Sequence, residues 1–253
     1  MLEFVDTHCH LHAEEYGFDQ NQVLKNAKES GVTKIICIGT DPKDSTAAVK
    51  FAAEHEEVFA SVGLIPHDAK QGQQSLDAIE GLISQPKVVA IGEIGLDFFY
   101  THSPKKDQVK ALNFQIGIAL KHDLPIIFHV RDAYPEFWQI FDDFKGIKGV
   151  CHSFSATRKE LDQILERGLY VGLNGIVTFS KNKKQIEAFK AAPLDKLLLE
   201  TDAPYLTPAP FRGRINESMY VESIAKFLSD LRGEPLDKIA RATTDNASKL
   251  FKI

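Results

Sequence analysis

The 253-residue chain is 43% hydrophobic and 26% charged, with 30 Lys and Arg against 35 Asp and Glu and a formal net charge of −5. These proportions are those of a globular domain and exclude a disordered tail, a collagen-like fibre or a coiled coil. The negative balance excludes a sequence-wide basic field for nucleic acid but leaves room for a local cationic patch. No apolar run reaches the roughly 18 residues of a membrane helix, and Met1-Leu2-Glu3 opens with neither a basic nor an apolar leader, so a cytoplasmic protein is expected. The three cysteines, Cys9, Cys37 and Cys151, suit a reducing compartment as small buried side chains better than a disulfide framework.

Apolar, β-branched runs recur along the chain at Phe4–Val5, Lys34–Ile38, Val58–Val62, Val88–Ile91, Ile126–Val130, Gly149–Cys151, Leu169–Leu173 and Leu197–Leu199. Near-continuous apolarity, as in Val88-Val89-Ala90-Ile91, marks a parallel strand buried on both faces. Helical segments lie between the runs. Asp19 and Gly31 bracket the first, and Asp41-Pro42 reads as an N-cap with Pro at the first helical position. Ser103-Pro104 reads the same way, followed by Val109, Leu112, Ile116 and Leu120 at helical spacing. Thr157 and Glu160 form a capping box, Leu161, Ile164 and Leu165 an apolar stripe, and Gly168 a stop. Eight β–α units of about 32 residues each are near the minimum for a βαβ crossover, and strands alternating with helices mean a parallel sheet. The expectation is a single α/β domain over residues 1–253, closed as a (β/α)8 TIM barrel. An open doubly wound sheet is disfavoured, because no G-x-G-x-x-G or G-x-x-x-x-G-K-[ST] motif is present. The irregular, Pro-rich stretch 203–216 follows the eighth strand.

Chemistry-bearing residues collect at strand ends. His8 and His10 close the first strand, and residues two apart on a strand point the same way, offering two imidazoles to one cation. His129 ends the fifth run and His152 the sixth, whereas Glu93 follows the fourth and Asp202 the eighth. A carboxylate beside a buried strand is costly unless paired or metal-bound. In a parallel barrel all C-terminal strand ends meet on one face, where active sites are found. Six N and O ligands exceed one tetrahedral zinc and suit two divalent ions bridged by a carboxylate. His55, His102 and His122 read as ordinary residues in helices or at helix edges.

Asp6-Thr7-His8-Cys9-His10-Leu11, Gly92-Glu93-Ile94-Gly95-Leu96-Asp97, 125–133 (Pro-Ile-Ile-Phe-His-Val-Arg-Asp-Ala), Cys151-His152-Ser153-Phe154 and Glu200-Thr201-Asp202-Ala203-Pro204-Tyr205 resemble the successive signatures of the TatD family of metal-dependent DNases, within the amidohydrolase superfamily. The likeness runs from residue 4 to the closing Asn246–Phe251 stretch. It implies a (β/α)8 barrel with metal ligands His8, His10, Glu93, His129, His152 and Asp202, Glu93 taking the bridging place. It also implies hydrolysis of DNA phosphodiesters, typically as a 3′ exonuclease, with a divalent cation; from the six ligands, two such ions (Mg, Mn or Zn) are expected. Two stretches depart from the family pattern. Ile65-Pro66-His67 stands where relatives often have His-Pro-His, and Arg214-Ile215-Asn216-Glu217-Ser218 replaces an Arg-Asn-Glu-Pro run.

The expected chemistry is attack on phosphorus by a metal-activated water, with Asp202 taking or orienting its proton and Glu93 as shared ligand. Arg131, Arg212 and Arg214 are candidate phosphate contacts or else surface ion pairs. His67 donates to a phosphate or caps a loop. Phe98, Phe99, Tyr100, Tyr205 and Phe211 stack on bases or pack on the barrel rim. The expected partner is DNA, as single strands or 3′ ends, with no membrane and no obligate protein partner. The alternative is hydrolysis of a small-molecule ester, lactone or amide on the same ligands, and a barrel that binds without turnover is the further rival.

Overall fold

The computed structural model describes residues 2–13, 17 and 19–253; Met1, on which the leaderless reading depends, lies outside them. Among these residues the elements are β1 (Phe4–Cys9), α1 (Gln20–Glu29), β2 (Val32–Ile38), α2 (Pro42–Glu54), β3 (Val58–Val62), α3 (Gln73–Leu82), β4 (Val88–Asp97), α4 (Lys105–Lys121) and β5 (Ile126–Arg131). They continue as α5 (Tyr134–Phe141), β6 (Gly149–Cys151), α6 (Arg158–Glu166), β7 (Tyr170–Leu173), α7 (Ile176–Phe179), α8 (Lys183–Ala191), β8 (Leu197–Leu199), α9 (Val221–Arg232) and α10 (Leu236–Phe251). The eight strands follow one another in a single sheet in chain order, with parallel pairing. This is the (β/α)8 barrel.

Local sequence explains most of the boundaries. Asp41 caps α2, its carboxylate accepting from the Asp44 N–H at 2.8 Å with Pro42 behind it. Asp19 caps α1 by accepting from the Gln22 N–H at 3.1 Å. Glu160 accepts from the Thr157 N–H at 3.1 Å, closing the capping box of α6. Ser103 does not cap α4, which begins after Pro104. Its hydroxyl instead donates to the His67 carbonyl at 2.6 Å and accepts from the Lys70 N–H at 3.1 Å. The largest departure is β4, which continues to Asp97 where the apolar run stops at Ile91. Past that run, Gly92 and Gly95 adopt φ of 154° and 153° and stay in the strand. A Cβ on Gly95 would stand 1.8 Å from the His129 carbonyl oxygen, so only glycine lets β5 approach there.

The chain packs as two compact units, Met1–Cys37 with Ser153–Ile253, and Ile38–His152. In the first, β1 pairs with β2 (Phe4↔Val32, Cys9↔Cys37) and β7 with β8 (Val171↔Leu197, Leu173↔Leu199). Phe4, Leu161, Ile164, Phe189, Leu198, Ile224 and Leu250 form its core. In the second, β4 pairs with β5 from Ile91↔Ile126 to Asp97↔Arg131, and β5 with β6. Phe128, Phe137 and Phe141 pack together there, with ring centroids 5.0 to 5.9 Å apart. Each such side chain contributes about 1.5–3 kcal/mol by leaving water. Cys9, Cys37 and Cys151 are buried and reduced, as expected. Among the described residues no helix is long and apolar enough to cross a membrane.

Candidate metal centre

In the first unit, His8 lies in β1 and His10 just beyond it. The two-residue spacing brings both imidazoles to Asp202: His8 Nε2 stands 3.5 Å and His10 Nε2 3.6 Å from its Oδ1. The rings meet edge to face, 5.4 Å between centroids. Asp202 adopts a left-handed φ of 61°, a conformation costing a residue with a Cβ on the order of 1–2 kcal/mol. Backbone bonds hold it: the Asp202 N–H donates to the His8 carbonyl and the His10 N–H to the Ala203 carbonyl, both at 2.8 Å. Beneath them the fully buried Asp6 accepts from the Thr201 N–H (2.9 Å), the Thr201 hydroxyl (2.6 Å) and the Ser218 hydroxyl (2.5 Å). Burial pushes the Asp6 carboxyl up to about 7, although hydrogen bonds from Ser218, Thr201 and His8 pull the other way. Glu200 accepts from the Ser153 N–H at 2.5 Å, and a Cβ at Gly172 would come within 2.2 Å of its Oε2.

In the second unit, Glu93 sits mid-way along β4, His129 in β5 and His152 directly after β6. Glu93 Oε1 lies 2.6 Å from His129 Nδ1 and 2.9 Å from His152 Nε2, and the two nitrogens are 3.3 Å apart. Donor atoms gathered round one ion at about 2.0–2.2 Å stand roughly 3 Å from each other. The other ring nitrogen of His129, Nε2, donates to Asp97 Oδ2 at 2.9 Å. That carboxylate fixes the ring and leaves Nδ1 turned toward Glu93, the outer-shell partner that metal-binding imidazoles characteristically have. Burial works to lower the His129 pKa, but hydrogen bonds to Asp97 and Glu93 outweigh it and raise it to about 9. An environment that favours a proton at Nδ1 favours a metal cation there as well. Burial likewise opposes charge on Asp97, yet hydrogen bonds from His129, the Tyr100 N–H and His67 hold its carboxyl well below the usual carboxylate range.

Both donor groups consist of imidazole nitrogen and carboxylate oxygen, a set suited to Mg, Mn, Zn or Fe. The residues present therefore fit divalent metal. His8, His10 and Asp202 form one group that can hold an ion, and His67, Asp97 and His129 are also drawn together. Asp97 is the residue missed by sequence reasoning. It was visible in principle, four residues after Glu93 and so on the same strand face, but the apolar run that marks β4 stops at Ile91, six residues short of it.

The remaining candidates take varied positions. His67 lies in a 3-10 turn (Pro66–Gln71) and its Nε2 donates to Asp97 Oδ2 at 2.9 Å. The Arg131 guanidinium lies 3.9 Å from the Phe99 ring centroid and 4.8 Å from that of Tyr100. Tyr205 is exposed and meets His10 edge to face at 6.3 Å. Arg212 lies on the Phe179 ring at 3.9 Å and donates to the Thr207 carbonyl at 2.8 Å, bracing the loop after β8. Arg214 lies 5.8 Å from the Phe211 ring, which stacks on Tyr220 at 4.7 Å. Lys105 covers Phe98 at 3.8 Å. His102 lies outside any helix, stacked on Tyr100 at 5.3 Å.

Residues 5–252 match the family model described as TatD related DNase. The chain is 38% identical to the uncharacterized metal-dependent hydrolase YabD of Bacillus subtilis strain 168, over 98% of each chain. It is 35% identical to the 3′-5′ ssDNA/RNA exonuclease TatD of Citrobacter rodentium, over 98% of this chain and 97% of that one. The crystal structure of YjjV, a TatD homologue from Escherichia coli K12, superposes with a TM-score of 0.92 at 30% identity, covering 99% of this chain and 98% of that one. The chain belongs to the TatD family and is a metal-dependent hydrolase acting on ester bonds.

Proposed function

We propose that this chain acts as one domain, residues 1–253, that hydrolyses nucleic-acid phosphodiesters and removes nucleotides from the 3′ ends of single-stranded DNA. His8, His10, Glu93, His129, His152 and Asp202 are the residues that would hold two divalent ions (Mg, Mn or Zn), with Glu93 as the shared ligand. The observation that carries this reading is the convergence of Glu93 Oε1, His129 Nδ1 and His152 Nε2 within 3.3 Å of each other, on a ring that Asp97 holds from behind. Relatives named as 3′-5′ ssDNA/RNA exonucleases, at 34–35% identity over 98% of this chain, support this choice of substrate class and polarity.

Bound divalent ions neutralise charge on a phosphodiester and lower the pKa of water enough for attack at neutral pH. The residues of the chain do the rest. Asp202 is the base that takes or orients the proton of the attacking water. His67 and Arg131 meet the phosphates nearest the second-unit ligands, whereas Tyr205 and Arg214 serve the strand along the loop after β8, which Arg212 braces through Thr207 and Phe179. With a net charge of −5, attraction to the backbone is local, so binding weakens with added salt. A cytoplasmic setting without an obligate protein partner belongs to the same proposal.

The test is metal add-back to stripped protein with a single strand labelled at its 5′ end and, separately, at its 3′ end. Addition of Mg, Mn or Zn is expected to give a descending ladder from the 5′-labelled strand and immediate release of the 3′ label, both lost in His129→Ala. Absence of cleavage with every metal, despite bound ions, overturns the reading. Turnover of lactones or cyclic amides would then assign small-molecule hydrolysis to the same ligands.

A further inference from the structure

Among the described residues, four large apolar side chains are exposed: Phe99, Tyr100, Tyr205 and Ile215. Two of them are adjacent, at the turn that follows β4. Phe99 is 54% and Tyr100 41% exposed, and their rings stand edge to face at 4.9 Å. Exposed aromatic pairs of this kind mark binding surfaces when their positions are fixed rather than free.

These positions are fixed by the carboxylate that also fixes the metal ligand. Asp97 divides its two oxygens between two tasks. Oδ1 accepts from the backbone N–H groups of Phe99 (3.0 Å) and Tyr100 (2.9 Å), setting the turn. Oδ2 accepts from His129 Nε2 and His67 Nε2, both at 2.9 Å. The rings then run outward without a break: His129 to His67 at 5.7 Å, His67 to Tyr100 at 5.5 Å, and Tyr100 to Phe99. Arg131, two residues past His129 on β5, lays its guanidinium over Phe99.

We propose that Phe99, Tyr100 and Arg131 form a nucleobase subsite next to His129, in which the exposed rings stack on a base of the bound strand and the guanidinium meets its phosphate. This rests on the nucleic-acid reading above and deepens it by naming what holds the strand. A flat apolar ring accepts any base, because every base has a π-face, so the subsite grips without reading sequence. Its contribution is separable from that of the metal ligands: it depends on the base, whereas metal and Arg131 act on the phosphate.

The experiment compares two phosphorothioate-linked octamers, oligothymidylate and the same backbone with abasic residues at its 3′ half. Binding to the Mn-loaded protein is followed by fluorescence anisotropy. The wild type is expected to bind the base-bearing strand roughly 5- to 100-fold more tightly than the abasic one. Phe99→Ala and Tyr100→Ala are expected to remove most of that ratio without weakening the abasic strand, and Phe99→Trp to restore it. Arg131→Ala should weaken both strands alike. Equal wild-type affinity for the two strands, or equal loss of both in Phe99→Ala, overturns the subsite, as does failure to bind either strand. The cleavage assay separates this from the parent reading. Cleavage without base discrimination rejects the subsite alone, and base-dependent binding without cleavage keeps the subsite and rejects hydrolysis.

Discussion

The donor groups of the two units are held in different ways. In the first, His8, His10 and Asp202 are positioned by backbone: main-chain bonds of 2.8 Å tie Asp202 to His8 and His10 to Ala203, while the imidazole–carboxylate distances are 3.5 and 3.6 Å. In the second, side chains hold side chains. Glu93, His129 and Asp97 form a chain of contacts at 2.6 and 2.9 Å, and Asp97 reaches on to His67 and the aromatic turn. Backbone anchoring tolerates loss of one side chain, because the others keep their places. A side-chain network does not, because each member orients the next. The second group should therefore be the more sensitive to conservative change outside the ligands themselves.

The largest expected effect lies in the first unit. Asp202→Asn keeps shape and removes the base, so kcat should fall on the order of 10²–10⁴-fold with folding intact; near-native turnover would refute the assignment. Next comes the network. Asp97→Asn should weaken metal binding about 10–100-fold by releasing the His129 ring, read by competition with a coloured chelator. Ser218→Ala, which alters the support beneath Asp202, should leave metal affinity within a few-fold; equal sensitivity of the two would remove the contrast between the units.

A third pair concerns backbone. Gly95→Ala places a Cβ against the His129 carbonyl at a φ reserved for glycine and should destabilise the fold by about 2–5 kcal/mol. Gly81→Ala, in α3 with no atom near the added Cβ, should stabilise by about 0.5–1 kcal/mol. Urea denaturation measures both. The last effect is in pH dependence. The folded Asp6 carboxyl titrates near 7 against 3.8 for the free group, so the fold favours its protonated form. That contribution is fully present below about pH 4 and is lost as pH rises through 7. Asp6→Asn does not titrate, so its stability relative to wild type should improve from pH 4 to pH 8; a difference that stays constant would place the Asp6 pKa near its ordinary value.

Much of the fold was legible because parallel strands buried on both faces leave uninterrupted apolar runs: β3, β6 and β8 match the runs Val58–Val62, Gly149–Cys151 and Leu197–Leu199 residue for residue. The caps at Asp19, Asp41 and Thr157 were readable because their side chains act on backbone only two or three residues away. Ser103 was misread because its partners, Lys70 and the His67 carbonyl, are more than thirty residues distant. β4 was cut short because apolarity stops at Ile91, whereas the strand continues through Gly92 and Gly95, which admit its neighbour. The same error hid Asp97, whose role appears only when β4, β5 and the turn holding His67 are brought together. Nor does spacing show that Arg131 lies over Phe99 or that Arg212 is spent on Thr207 and Phe179, since both depend on rotamer and loop path.

The most direct test of the central claim is anomalous diffraction from crystals soaked in Mn. Two peaks per chain are expected, one at His8, His10 and Asp202 and one at Glu93, His129 and His152. A single peak, or ions held away from these six residues, would contradict the dinuclear centre.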